Sequence, residues 1–550
     1  MDDFFDLAMP SPEHDLPFPP TALRPKDLVE PTRRILPGAI ANLSEDDQNL
    51  FEIFGCGPCI APRFSLIHDG FLHFAARQPK EAAIIHEGRA VSYGELDAAS
   101  ADLAAYLRRI GIGAGDAVGL YLERGVPMVV GILAVLRVGA AYVPQHVGVA
   151  TDEMLRHISN VTKARVVLTT ERLLAQVPVL EGQDVFAIDA PLPPVKSLAG
   201  AVGSREASPN DPCFILFTSG TTGQPNGVIV THRNVCNILQ TGPGDLGIRP
   251  GLRVAQMLSI SFDMAAWEIL GCLSNGGTLV IRGKSFQDAA EMVDILIATP
   301  SILNRIDVDR CKHIRTVAVA GEPCPRPLAD KWSAICRFHN SCGPTETTII
   351  NTAEQHFPAK PILSIGRPTP NNTVYVLDDA MQPCAIGEPG EMWAGGDCVT
   401  AGYLGNPGLT AERYHPDPFL GGGRMMFRTR DLGRWTSGGE LEHLGRVDDQ
   451  VKIRGFRVEL DAVSARIETV PECAQAVTLK LDDRTLVSFA SPIDVDIQAA
   501  RQAVADALPY YCVPAQVLPL PEFPRTPRGK IDKRRLREMA EKMVCRGGAE

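Results

Sequence analysis

No stretch of about 18 consecutive apolar residues occurs in the 550-residue chain, so nothing in the sequence would cross a membrane as a helix. The opening Met1-Asp2-Asp3 lacks the basic start and apolar core of a secretory signal, and a cytoplasmic chain is the expectation. Excess positive charge is also missing. The formal net charge is -11, which argues against a general nucleic-acid binder, since such proteins present a basic surface. A phosphorylated ligand stays open, because backbone N–H groups placed locally can hold phosphate without net charge. The fourteen cysteines show no dense, regular spacing of the disulfide-scaffold kind, as fits a reducing compartment. There is no internal repeat either.

What is present suits a large soluble protein. At 45% hydrophobic and 22% charged, with 49 Gly and 44 Pro, the composition predicts a packed core with frequent turns. The length predicts one large domain and at least one smaller one. Residues 1–60 are rich in Pro and acidic residues and read as a flexible extension, with a short helix near 43–54. Beyond them, apolar strands alternate with helices over 61–447, the pattern of a layered α/β domain. Strands are expected at 82–86, 117–122, 164–169 and 214–218. Ser92 and Glu95 form a capping box before a helix with Leu96, Ser100, Leu103 and Leu107 on one face. Residues 445–460 read as a charged hairpin, and 448–550 as a smaller α+β domain ending in a linker at 546–550.

Two lookalikes are set aside. Cys56-Gly57-Pro58-Cys59 has redox-pair spacing, but it lies in a loop without the helix N-terminus that would lower a thiol pKa. Residues 277–285 resemble a P-loop with one residue too many between the glycines, and Leu279, Val280 and Ile281 are strand residues.

The most informative stretch is Thr218-Ser219-Gly220-Thr221-Thr222-Gly223, closed by Pro225-Asn226-Gly227, leaving the apolar run 214–217. Glycines let backbone donors approach an anion, and the hydroxyls add further donors. A plain surface turn needs neither this order nor this length. The loop resembles the signature of the adenylate-forming superfamily, which holds acyl-CoA synthetases, luciferases and adenylation domains of nonribosomal peptide synthetases. The resemblance spans about 65–535 and includes four more segments in family order: 340–348, 428–435, 445–460 and 524–532. It implies a large N-terminal domain of two α/β subdomains plus a small β-barrel-like subdomain, followed by a small mobile α+β domain.

The reaction implied is attack of a carboxylate on the α-phosphorus of ATP with release of pyrophosphate, so two anions must meet. By resemblance, Thr218, Ser219, Gly220, Thr221, Thr222 and Gly223 would hold the outer phosphates. Thr345 would meet the α-phosphate, and Glu346 would bind Mg2+. Asn340, with Ser341 and Cys342, would contact adenine, Gly321 and Glu322 would line the nucleotide pocket, and Asp431 would accept both ribose hydroxyls. Arg446 joins that set. Lys530 would bridge carboxylate and phosphate charge, and Asp448 would be the hinge about which the small domain turns between the two half-reactions. Three departures from the family pattern stand out: Asn226 in place of Lys, Cys342 in place of an aromatic, and Arg430 in place of Gly.

The segment Phe262-Asp263-Met264-Ala265-Ala266-Trp267 resembles the peptide-synthetase version of the substrate site, in which the Asp receives an α-amino group. The pocket implied is Asp263, Met264, Trp267, Ile297, Ala318, Ala320, Ser341, Ile349 and Ile350. Apart from its anchors it carries no charge, which favours an uncharged, mainly apolar amino acid. The acyl group would pass to the phosphopantetheine thiol of a carrier protein, in trans or further along a longer chain, since no carrier serine motif is visible. Neither nucleic acid nor membrane is expected as a partner. The alternatives are an acyl-CoA ligase acting on an aryl or fatty acid, and a non-catalytic nucleotide-binding relative.

Overall fold

The computed structural model describes residues 35–194, 206–218, 224–525 and 531–547. Two sheets, parallel at their centres, carry the large domain. One runs Asp184–Ala187, Val166–Thr169, Ala117–Tyr121, Ala141–Gln145, Pro212–Thr218, Asn226–Thr231, and only its last pair is antiparallel. The other has nine strands, with Arg337–Cys342, Thr316–Val319, Ile295–Ala298, Arg253–Gln256, Thr278–Ile281 and Ala82–His86 in order across its parallel part. Strands such as Ile295–Ala298 and Thr316–Val319 are buried along their whole length, because helices cover both faces of such sheets. All four strands expected from the sequence are present. Thr278–Ile281 pairs parallel on both sides, so the P-loop lookalike is a sheet strand.

The capping box forms as expected. The Ser92 hydroxyl accepts from the Glu95 N–H at 3.2 Å, and the Glu95 carboxylate accepts from the Ser92 N–H at 2.8 Å. The helix Tyr93–Arg109 buries Leu96, Ser100, Leu103 and Leu107.

A five-stranded antiparallel sheet, built on Asn372–Leu377, Gly390–Gly396 and Met425–Trp435, forms the third part of the large domain. It corrects one expectation, that residues 1–60 are a flexible extension. Ser44 caps the helix Glu45–Gly55, whose Phe51 stacks on Tyr375 with ring centroids 5.9 Å apart. Ile35, Ile40 and Leu43 join the same core with Trp393 and Phe419. Residues 35–60 are therefore packed against this sheet, because their few apolar side chains fall at helical spacing on one face. Residues 1–34 lie outside the described ones. Cys56 is buried and Cys59 exposed.

The large domain's last strand, Leu441–Arg446, leads through Asp448 into the hairpin Gln450–Ile453 and Phe456–Glu459. Gln475–Asp482, Thr485–Ser491 and Gln516–Pro519 then make a three-stranded sheet flanked by Leu460–Ile467, Ile497–Ala507 and Lys533–Gly547. These elements carry their own apolar clusters, separate from the large core, as befits a second domain. The last helix reaches Gly547, so the expected linker at 546–550 begins inside a helix. Among the described residues, no helix is long and apolar enough to cross a membrane.

Candidate active site

A cavity of about 1090 Å³ opens where the carboxyl ends of the nine-stranded sheet, the antiparallel sheet and the hairpin meet. Ligands in α/β proteins bind at such strand ends. The sequence-predicted residues Thr218, Asp263, Met264, Ala320, Gly321, Glu322, Asn340, Ser341, Cys342, Thr345, Ile349, Asp431, Arg446 and Asp448 all line it. Residues separated by more than two hundred positions thus share one wall. Ser219, Gly220, Thr221, Thr222, Gly223 and Lys530 lie outside the described residues.

On the side expected to take the nucleotide, Asn340 lies within the strand Arg337–Cys342 and donates its amide to the Ser364 carbonyl at 2.7 Å, which fixes its orientation. Gly321 has φ of +84°, in the left-handed region that favours glycine. The Glu322 carboxylate accepts the Ser301 N–H at 2.8 Å. Asp431 is buried and accepts from Arg446 Nη1 at 2.7 Å, with His443 Nε2 at 3.3 Å. Burial would raise its pKa, but His443 and Arg446 outweigh that and hold it below the usual carboxylate value. Arg446 also grips Asp448 through Nε and Nη2, at 2.8 and 2.9 Å. The ribose candidate and the hinge candidate are therefore tied by one guanidinium.

On the side expected to take the acyl group, Asp263 begins the helix Asp263–Ser274 and is hydrogen-bonded by the Met264 N–H at 2.7 Å and by the Thr345 hydroxyl. Burial raises its carboxyl above the usual value, and nearby Lys452 pulls the other way. A carboxylate so placed gains from a cation arriving in the cavity. Ile349 follows Thr348 in the left-handed region, at φ of +70° and +56°. Such strain in a β-branched residue is concentrated at functional walls. Trp267, Ile297, Ala318 and Ile350 stand behind the lining, buried in the core, and Trp267 Nε1 donates to the Gly244 carbonyl at 2.6 Å.

Glu346 is fully buried, also behind the lining. Arg457, from the hairpin, places Nη1 3.1 Å and 3.0 Å from its two carboxylate oxygens, and the Tyr403 hydroxyl donates to one of them at 2.7 Å. Burial would push its pKa up. Arg457, then Arg413 and Tyr403, overcome that and hold it at about 2. A buried carboxylate kept ionised this firmly suits a dication in place of the guanidinium. Among the described residues, no three His, Cys, Asp or Glu side chains cluster around a common point. A Mg2+ ion would therefore take Glu346 and complete its shell from phosphate and water, its usual mode.

Residues 71–404 match the family described as AMP-binding enzyme. The chain belongs to that family.

Over 505 residues it is 45% identical to adenylate-forming reductase 06235 of Coprinopsis cinerea, an alignment that covers 91% of this chain and 49% of that protein. It is 34% identical to tyrocidine synthase 2 of Brevibacillus parabrevis, over 85% of this chain and 13% of that protein. The fold also matches the structure of holo-PA1221, an NRPS protein containing adenylation and PCP domains. The TM-score is 0.74 at 24% identity, over 86% of this chain and 84% of that one. This AMP-binding enzyme spans about half the length of the Coprinopsis relatives it matches.

The structure gives this AMP-binding enzyme's three departures a setting. Arg430 keeps the backbone expected of glycine, with φ of +62°, and turns its side chain to Glu412 at 2.5 Å and Asp448 at 3.7 Å. Asn226 accepts from Asn406 at 3.1 Å across the start of its strand. Cys342 lines the cavity, its thiol pushed up to about 12 by burial and then by Asp431.

Two residues of the site escaped the sequence argument. Lys452 and Arg457 are directly opposed in the hairpin register, so both project from the face turned to the cavity. The signal was available: Lys452 lies between apolar Val451 and Ile453, and Arg457 between Phe456 and Val458, the alternation of a strand with one polar face.

Proposed function

We propose that this AMP-binding enzyme activates an uncharged, mainly apolar amino acid with ATP as the aminoacyl-AMP, and passes the acyl group to a carrier-protein phosphopantetheine thiol. The observation that carries the amino-acid part is Asp263, a half-buried carboxylate on the acyl side of a cavity whose other side presents Asn340 and Asp431. A substrate ammonium beside Asp263 would leave its carboxylate near Thr345 and the α-phosphate.

The chemistry then follows from charge. A substrate carboxylate oxygen forms a bond to the α-phosphorus, and the bond from phosphorus to the bridging oxygen breaks, its electrons leaving with pyrophosphate. Asp431 would orient the ribose through its hydroxyls, and the Asn340 amide would read the adenine edge. Lys530 and the hydroxyls of Thr218, Ser219, Thr221 and Thr222 would offset the anionic charge that meets there. Mg2+ bound at Glu346 would supply the remaining positive charge. Partnership with a carrier is supported by the likeness to PA1221 and to tyrocidine synthase 2, and the carrier would be a separate protein or the remainder of a longer chain.

A second reading rests on the Coprinopsis relative, whose name adds a reductase activity and of which this chain spans 49%. There the acyl group made here would be consumed by reduction. Asp263 separates an amino acid from other acids in either case. A site built to pair with an ammonium rejects substrates lacking it by a large factor. Des-amino analogues of the preferred substrate should support acyl-AMP formation far more weakly, and Asp263→Ala should narrow that gap. Equal use of an acid and its des-amino analogue would sink the amino-acid assignment and favour an aryl- or fatty-acid ligase.

A further inference from the structure

The small domain lines the cavity with its hairpin, and through Arg457 it contacts the fully buried Glu346. Phe456 packs its ring against Phe262 at 4.9 Å, and Gly455, at φ of +85°, sits so close to Thr299 and Glu322 that a Cβ would lie 3.1 Å from the former. The hairpin is thereby seated with Arg457 over a carboxylate 111 residues away in sequence. One nitrogen, Nη1, straddles both carboxylate oxygens, the position a cation shared by the two would take. Arg457 brings its own counter-ion as well, with Nε 3.4 Å from Glu459, which is in turn held by Gln450. Arg413, the other cation near Glu346, spends Nε and Nη2 on the Arg428 carbonyl at 3.1 and 2.8 Å.

We propose that Arg457 is a positioning residue that competes with the divalent metal for Glu346, so that hairpin docking and metal loading of the site exclude each other. The proposal rests on the adenylation reading above, since it takes Glu346 as the metal's carboxylate. Its physical basis is that a fully buried carboxylate needs one positive partner close by. In this structure the partner arrives on the mobile domain. With the hairpin withdrawn, Glu346 keeps Tyr403 as a hydrogen-bond donor but loses the charge that Arg457 supplied, and a dication restores it. With a dication present, Nη1 would face a like charge at the same two oxygens. The metal thus favours the withdrawn hairpin, and its departure leaves Glu346 to Arg457.

The test uses the full chain, Mn2+ as the metal, and an ATP analogue with a methylene between the α- and β-phosphorus atoms. Mn2+ affinity is read by electron paramagnetic resonance with the analogue saturating. Analogue affinity is read with and without metal. Docking is read by energy transfer between one dye on the large domain and one on the small. In the wild type, docking should be lost along the same titration curve as Mn2+ loading. Arg457→Met should bind Mn2+ at least about fivefold more tightly, the lower end of measured coupling between sites. Its metal-free analogue affinity should not change, and Arg457→Lys should fall between the two. A wild type that stays docked at saturating Mn2+ overturns the proposal whether or not the variants fold. Parallel loss of analogue affinity with and without metal would make Arg457 a phosphate ligand and also overturn it. Absence of analogue binding in every variant would sink the adenylation reading itself, and the proposal with it.

Discussion

Replacing Glu346 by Gln keeps the shape of the side chain and removes the charge that Arg457, Arg413 and Tyr403 surround. Those partners take its carboxyl from a usual 4.5 down to about 2 against the upward push of burial, which corresponds to roughly 3 kcal/mol in favour of the ionised form. Removing one member of a buried pair costs a similar amount in general, about 3–5 kcal/mol. The sign follows from the direction of the shift. The folded-state pKa lies below the unfolded one, so the contribution is complete above about 4.5 and decays as pH falls toward 2. Glu346→Gln should therefore be less stable than the wild type by about 3 kcal/mol at neutral pH. The gap should shrink steadily below about pH 4.5. Urea unfolding followed by tryptophan fluorescence is the assay. All four tryptophans, Trp267, Trp332, Trp393 and Trp435, are buried in the large domain, so the signal reports the body that holds Glu346 and is blind to the small domain. Equal midpoints at neutral pH, or a gap unchanged between neutral and acid, would refute the account of this carboxylate.

Two further outcomes are expected. Lys530→Ala should lower acyl-AMP formation by about 100-fold or more, as for loss of a major electrostatic donor, while transfer from preformed acyl-AMP to a thiol suffers much less. Equal loss in both half-reactions, measured by single turnover, would count against alternation of the small domain. Asn226→Lys combined with Cys342→Tyr should lower KM for ATP and leave kcat within about threefold, because on the proposed reading both positions would act on ground-state nucleotide binding. Steady-state kinetics that showed kcat rising at constant KM would contradict that assignment.

Much of this architecture was legible because local signals and the global fold agree. Continuous apolar runs such as 295–298 and 316–319 could only be strands buried on both faces, and the Ser92–Glu95 box marked a helix start to the residue. The segments carrying Asp263, Asn340 and Asp431 converge on one cavity, as the resemblance implied. What escaped depends on partners distant in sequence. The composition of 1–60 suggested an extension, yet Phe51 and Phe54 find Tyr375 and Trp435 more than three hundred residues away. Trp267, expected in the pocket, stands behind the lining with its indole N–H on the Gly244 carbonyl, a partner 23 residues away that local pattern does not reveal. The pairing of Arg457 with Glu346 depends on how one domain docks on another, and no local pattern encodes that.

The central claim is that this cavity joins a carboxylic acid to AMP. It is tested most directly by ATP–pyrophosphate exchange on the purified chain, across all proteinogenic amino acids together with common aryl and fatty acids. The account predicts exchange stimulated by one or a few uncharged, mainly apolar amino acids, and no stimulation by their des-amino counterparts. Exchange driven only by an aryl or fatty acid would contradict the amino-acid assignment, and no exchange with any acid would contradict the enzyme itself.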